Sequence, residues 1–396
     1  MKMLVVTGSP LWVLNGTYYS KDSWVLFPLK MSDYFTKIVI WGPQKEVNSI
    51  LELPETVFKI ELKFNIVIVK HDYYNTFIGH YKLLLKKYFV WTEITNKYVS
   101  ESDVVVLRLP SPMVSFLKKA IRKNPKKMVV FSLSDLKKSD RVVRSSGMKK
   151  ILYSIMANIL VKQEIAAVKR AQVVFAYSKI LLKRYVDLEG VNAILSRDPI
   201  ISEEDFYYRD DTCSKKTINL LRVSWLQPLK GLETLIDAVS LLRTDGFNVF
   251  LKVVGDERES GYRDKLLSKI EAYSLGNYIS LDGWVPYDKM GEIYINSDIQ
   301  VSTSLTEGMP RCIAEGGARG VPLVTTPVGG IGDHFKHKKQ AYFVEVNNAD
   351  SVAKGIVEVI ENRSLRKRLI KEGYVYAENS TFETLGQKVI ETIIDA

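Results

Sequence analysis

Short apolar runs recur along this chain, and each stops at a polar or glycine-containing turn. In the first half these are residues 2–7, Lys37–Trp41, Asn65–Val69, Val104–Leu107, Met128–Leu133 and Gln172–Phe175. In the second half they are Thr217–Ser224, Val249–Val254, Tyr278–Leu281, Ile299–Ser302 and Val321–Thr325. Stretches with helical spacing lie between them, among them Leu232–Arg243, Asp350–Glu361 and Leu365–Glu378. Strands that alternate with helices in this way predict an α/β chain built on doubly wound parallel sheets. Gly42-Pro43 is expected to close the second strand. A loop with Gly8, Pro10, Asn15 and Gly16, reading as a βα turn, is expected after the first.

The stretch from Val301 to Gly330 carries the densest pattern. The strand Ile299–Ser302 leads through the loop Leu305–Pro310 into a helix over Arg311–Arg319. Gly320 is placed to cap that helix. The next strand, Val321–Thr325, opens into a flexible loop, Pro327–Gly330. Two carboxylates sit in this unit, Glu307 at the carboxyl end of the strand and Glu315 on the helix. Open parallel sheets bind ligands beyond the carboxyl ends of their strands. A helix N-terminus there offers free N–H groups and a positive dipole end to a phosphate. An anion seat with a carboxylate on either side suits a diphosphate carrying hydroxylated rings at both ends, which describes a nucleotide sugar.

The segment Glu307-Gly-Met-Pro-Arg-Cys-Ile-Ala-Glu315, followed by Gly-Val-Pro and Val-Gly-Gly, resembles the paired-glutamate motif of family 4 glycosyltransferases. The resemblance implies a GT-B fold of two Rossmann-like domains facing across a cleft, a nucleotide-sugar donor, and transfer with retention. It implies that Glu307 contacts the donor sugar and Glu315 the ribose. Gly308, Met309, Arg311 and Cys312 would bring backbone amides to the sugar and diphosphate, while Pro310 has no N–H to give. The segment Trp225-Leu-Gln-Pro-Leu-Lys230-Gly231 is similar to the family's phosphate-gripping segment. Lys230 and Gly231 match it, Trp225 stands where the family has arginine, and Arg222 and Arg311 are nearby cations. Lys230 is a fixed cation where charge develops on the leaving diphosphate. Gly16 and Gly255 are further donor-side positions. Trp284 and Val285 are expected beside the base, which the family reads through main-chain groups. The resemblance implies no bound metal and no cofactor, and it is closest over residues 217–396.

The polar ends of the first-half strands line the edge expected to take an acceptor. His71, Asp72, Arg108, Asp135 and Ser178 are the candidates. Many family members have histidine where Ser134 stands. In the family the departing phosphate helps deprotonate the acceptor. The domain change is expected near residues 199–216, which read as polar linker. This gives an acceptor-binding domain over 1–200, a nucleotide-sugar domain over 201–378, and a last helix over 379–396 that returns to the first domain.

Composition narrows the classes. A chain of 396 residues with 46% hydrophobic and 26% charged residues is globular, with room for two or three cores. Only two cysteines, Cys213 and Cys312, argue for a reducing compartment and against a disulfide framework. The four histidines make no metal-binding spacing, and no apolar run reaches the ~18 residues of a membrane span. The start of the chain reads as a strand rather than a signal peptide. Residues 1–198 hold 32 Lys+Arg against 16 Asp+Glu, a net +16, and the remainder is net −5. Basic residues gather at Lys118–Lys127 and Lys137–Lys150, next to the apolar stretch Ile151–Leu160. Residues 118–160 thus read as a contact with an anionic membrane surface, and the chain as cytoplasmic and peripheral on its inner face. The expected acceptor is a lipid-linked or surface-polysaccharide glycan. No nucleic-acid module is visible. A nucleotide-sugar epimerase, a catalytically silent nucleotide-sugar-binding protein and a membrane-surface scaffold are the alternative readings.

Overall fold

The computed structural model describes residues 1–20, 23–54, 57–72, 77–111, 113–133, 147–199 and 201–395. The chain divides into two units, residues 1–198 with 386–396, and residues 199–385.

The first unit is built on a ten-stranded sheet. Its strands are β1 (Lys2–Val6), β2 (Leu11–Leu14), β3 (Thr17–Ser20), β4 (Lys37–Glu46), β5 (Phe58–Ile60), β6 (Ile66–Asp72), β7 (Val104–Leu109), β8 (Lys127–Ser132), β9 (Val173–Ala176) and β10 (Ala193–Leu195). Every residue of β9 is buried, as are nearly all of β1, β7 and β8. Such burial on both faces is what an all-parallel arrangement requires. The parallel strands lie in the order β6-β4-β1-β7-β8-β9-β10. The order therefore reverses between β1 and β7, the position at which doubly wound sheets open a crevice. Trp91, Val99, Phe116, Leu117 and Val168, from the helices Phe77–Glu101, Val114–Lys123 and Gly147–Val168, pack onto this sheet.

Two readings of the first half are corrected here. The loop expected after β1 is a hairpin, with β2 and β3 antiparallel. Asn15 and Gly16 form its tip with φ of 49° and 75°, the left-handed pair that a two-residue hairpin turn demands. Gly16 is thus a turn residue rather than part of a βα loop. Gly42-Pro43 does not close β4 either. The pairing of β4 with β1 ends at Trp41, and its pairing with β2 begins at Gln44. Proline is tolerated in this strand because one neighbour is being exchanged for another where it sits.

The second unit holds a six-stranded, all-parallel sheet. Its strands are β11 (Ile218–Val223), β12 (Val249–Val254), β13 (Ile279–Gly283), β14 (Ile299–Ser302), β15 (Leu323–Thr325) and β16 (Tyr342–Phe343). They lie in the order β13-β12-β11-β14-β15-β16, so this sheet reverses between β11 and β14. Leu235, Ile236, Val239 and Leu242 of the helix Leu232–Thr244, and Val352, Ile356 and Val359 of the helix Ala349–Glu361, close one core over it.

The expected polar linker is a strap on this second unit. Ile201 is buried and bridges to Thr381. The Arg209 guanidinium donates to the carbonyls of Tyr294, Ile295, Ser297 and Gly320, helix-end and turn acceptors of the second unit. Asp211 accepts from Arg363 and Arg366 at 2.7 Å each. Burial raises the Asp211 carboxyl, but the hydrogen bonds from Arg366 and Arg363 outweigh it and hold the group down to about 2. The last helix, Gln387–Asp395, belongs to the first unit, where Lys127 Nζ donates to the Ile394 carbonyl at 3.0 Å.

Candidate functional site

The switch point of the second sheet gathers the charged residues singled out in the sequence. Beyond β11 the chain makes a short 3-10 turn, Pro228–Lys230, and Gly231 follows with φ +62°. A Cβ on Gly231 would lie 2.0 Å from the Thr303 carbonyl oxygen, so only glycine lets the two loops approach. Leu305 N donates to the Leu229 carbonyl at 2.9 Å, and the Thr303 hydroxyl donates to the Gly231 carbonyl at 2.8 Å. The loop after β11 is thereby stitched to the loop after β14. Lys230 Nζ then reaches Glu307 Oε1 at 2.7 Å, with only 15% and 11% of the two side chains exposed. Ser304 Oγ donates to the same Glu307 oxygen at 2.7 Å.

The backbone at Glu307 is fixed from the other side. Gly330 N donates to the Gly308 carbonyl at 2.7 Å. Gly329, at φ +54°, lies so close that a Cβ would meet the Glu307 carbonyl oxygen at 1.8 Å. The segment expected as a flexible loop is therefore a clamp on the Glu307 turn, and a short helix begins at Gly330.

The helix Arg311–Ala318 starts beside this pair. It ends one residue earlier than its apolar spacing predicts, and Gly320 follows at φ +64°. The first N–H groups of any helix lack an intrahelical partner, and its N-terminal end is partly positive. Glu315 lies one turn along. Its Oε2 accepts from the buried Tyr294 hydroxyl at 2.8 Å, which fixes one carboxylate oxygen. Burial, the neighbouring Glu315 charge and this hydrogen bond push the Tyr294 hydroxyl well above its usual range, so it stays a donor. Arg319 closes the far side, donating to the Glu315 carbonyl at 3.1 Å and to Asp205 at 2.8 Å. Cys312 lies within the field of both glutamates, Arg222 and Lys230, and burial pushes its thiol up to about 12. It is a neutral packing group, set against Ile313, Leu323 and Ile331 together with Met309.

Gly255 follows β12 at φ +143°, and a Cβ there would sit 1.9 Å from the Ser224 carbonyl oxygen. Its N–H donates to Gly283, which leads into Trp284 and Val285. Val285 packs on the cluster of Val254, Met290 and Tyr294. Trp225 is half-buried, and the Arg258 guanidinium lies 5.8 Å from its ring centre. Two partners of the site escape sequence reasoning, Ser304 and Tyr294, while Arg222 stands there only as a nearby cation. The run Ser302-Thr-Ser304 at the carboxyl end of a strand was the available signal for the hydroxyls, whereas nothing local marks Tyr294.

At the switch point of the first sheet, Arg108 Nη1 donates to Ser9 Oγ at 2.7 Å, and its guanidinium lies 4.9 Å from the Trp24 ring centre. Ser178 caps the helix Lys179–Val186, accepting from Leu181 N at 3.3 Å. His71 and Asp72 end β6, in register with Pro43 and Gln44. Asp135, Ser134 and the basic loop before residue 147 lie outside the described residues. Behind the edge, the Tyr185 hydroxyl donates to Glu164 and shares a 2.6 Å hydrogen bond with Ser132. Burial, with the Glu164 charge, raises the tyrosine, and this group was not anticipated. Ile151, Ile155 and Ile159 are 62%, 52% and 45% exposed and form one stripe on the helix Gly147–Val168. Among the described residues, no helix is long and apolar enough to cross a membrane.

Comparison with known proteins bears on this geometry directly. Residues 208–376 match the family described as glycosyl transferases group 1. An uncharacterized glycosyltransferase of Methanocaldococcus jannaschii is 30% identical over 174 residues, 42% of this chain and 46% of that protein. The lipopolysaccharide core biosynthesis glycosyltransferase LpsE of Rhizobium meliloti is 30% identical over 168 residues, 42% of this chain and 44% of that protein. The match thus spans less than half the length of either relative. The crystal structure of Anabaena HepE in complex with UDP and glucose superposes with a TM-score of 0.71 at 16% identity, covering 100% of both chains. With two parallel-sheet units and this likeness the chain has the GT-B fold, and the segment that carries Lys230, Glu307 and Glu315 belongs to the group 1 glycosyl transferases.

Proposed function

We propose that this chain is a retaining, metal-independent glycosyltransferase that moves a sugar from a UDP- or GDP-sugar to a lipid-linked or surface-polysaccharide acceptor. The observation that carries this reading is the Lys230–Glu307 contact at the sheet's switch point, beside the start of the Arg311–Ala318 helix. In the proposed cycle Lys230 turns from Glu307 to the donor diphosphate, and the helix-start amides bind the same anion. Glu307 is then released to orient a sugar hydroxyl, and the free oxygen of Glu315 takes the ribose. The bond from the anomeric carbon to the phosphate oxygen breaks, and a bond to the acceptor oxygen forms on the same face. The acceptor proton passes to the departing phosphate. Lys230 stabilises the charge that develops there, the kind of fixed electrostatic contribution worth about 10²–10³ in rate.

The acceptor class rests on the basic first unit and on the names of relatives such as LpsE. The exposed Ile151, Ile155 and Ile159 stripe, near the basic helix Val114–Lys123, supports contact with an anionic membrane surface at the cytoplasmic face. Trp225 in place of a phosphate-binding arginine favours one second reading, a catalytically silent nucleotide-sugar-binding protein. One experiment separates the two. Time-resolved proton NMR of UDP-glucose and GDP-mannose turnover, with EDTA present, is expected to show the released sugar first in the donor's own anomeric form. Inverted product, or turnover lost with EDTA, would overturn the mechanism, and binding without any turnover would support the silent reading.

A further inference from the structure

Arg222 lies on β11 and is 2% exposed. It donates to Ser302 Oγ, to Ser304 Oγ at 2.7 Å and to the Lys230 carbonyl at 3.2 Å. Among the described residues no carboxylate pairs with it directly, and its Nε–H is buried without an acceptor. A cation taken out of water with only neutral partners is costly. Its compensation lies one serine away. Ser304 accepts from Arg222 and donates to Glu307 Oε1 at 2.7 Å, the same oxygen that meets Lys230. Glu307 therefore has two cations, one in direct contact and one relayed through a hydroxyl.

The two differ in freedom. Lys230 ends the short turn after β11 and its ammonium meets Glu307, whereas Arg222 is locked inside the sheet by three hydrogen bonds. A donor diphosphate would draw Lys230 away and strip Glu307 of its direct partner just as the carboxylate must orient a sugar. We propose that Arg222 is a positioning residue: through Ser304 it holds the Glu307 carboxylate in place while Lys230 moves to the diphosphate. This inference rests on the glycosyltransferase reading. It also gives Arg222 a part different from that of the arginine replaced by Trp225, because Arg222 is buried and acts on the sugar side of the donor.

The test is calorimetric titration of the full chain with UDP, UDP-glucose, GDP and GDP-mannose. The readout is the gain in affinity that the sugar adds to its nucleotide. Ser304→Ala and Arg222→Met are expected to lose about tenfold of that gain, while affinity for the bare nucleotide stays within about threefold. Arg222→Lys is expected to restore most of it. Glu307→Gln should lose the same gain, and Ser304→Ala should cost nothing further when added to it, because the two act as one unit. Ser304→Ala keeps the test sound if Arg222→Met fails to fold. An intact gain in Ser304→Ala would overturn the proposal. So would an equal loss for nucleotide and nucleotide sugar, which marks a merely structural arginine, or a wild-type protein that gains nothing from the sugar. A wild-type protein that binds no nucleotide at all would overturn the glycosyltransferase reading itself, and this inference with it.

Discussion

The parallel strands of both sheets reverse their order once, and the two switch points are furnished differently. In the second unit the reversal between β11 and β14 holds Arg222, Lys230, Ser304 and Glu307 in one hydrogen-bonded chain. Glycines at 231 and 329 let backbones close to contact around it. In the first unit, among the described residues, the reversal between β1 and β7 holds the Arg108 guanidinium against a serine and an aromatic ring. The topology supplies a crevice in both. What each crevice binds is decided by the few side chains at the strand ends, and these differ between the two units.

Substitutions can break that comparison, and the largest effect is expected at Lys230. Lys230→Ala should lower transfer about 10²–10³-fold while the melting temperature holds, because it removes one fixed charge from the developing phosphate. Steady-state kinetics beside a thermal melt checks this, and activity equal to wild type would remove Lys230 from the mechanism. Next comes Glu315→Ala, expected to weaken nucleotide binding about 10–100-fold, the range for a hydrogen bond to a charged group. Gly231→Ala and Gly329→Ala should each lower the melting temperature and reduce donor binding, since their Cβ atoms would sit 2.0 and 1.8 Å from carbonyl oxygens. Arg108→Ala sharpens the contrast from the other unit. It should raise the acceptor KM several-fold and leave nucleotide affinity unchanged in calorimetry.

The smallest effect concerns the strap. Asp211 has its carboxyl held near 2, below its ordinary 3.8, by Arg366 and Arg363. A depressed folded value gives stability that is present above the ordinary value and lost as pH falls through the folded one. The melting-temperature gap between wild type and Asp211→Asn should thus be full at neutral pH and narrow below about pH 4.

How much of this was legible in the sequence follows from what each feature depends on. The strand-and-helix succession was plain, because runs buried on both faces are apolar throughout. The Glu307–Glu315 spacing and Lys230-Gly231 were plain too, because they are local and lie in one segment each. The β2–β3 hairpin was missed although Asn15-Gly16 is a strong turn signal, since the expectation of a βα loop displaced it. Arg222 was noticed only as a neighbour. Its burial depends on Ser302 and Ser304, some eighty positions away, which no local pattern reveals. Tyr294, which fixes one oxygen of Glu315, is equally non-local. The acceptor edge was the least legible part, since single polar residues at strand ends carry no spacing to check.

The central claim is that the switch point of the second unit is a nucleotide-sugar site. Calorimetric titration with UDP, GDP and ADP in turn, with and without magnesium, tests it most directly. The account predicts that one of them binds without magnesium and that Glu315→Ala weakens that binding about 10–100-fold. A protein that binds none of the three under either condition would contradict it.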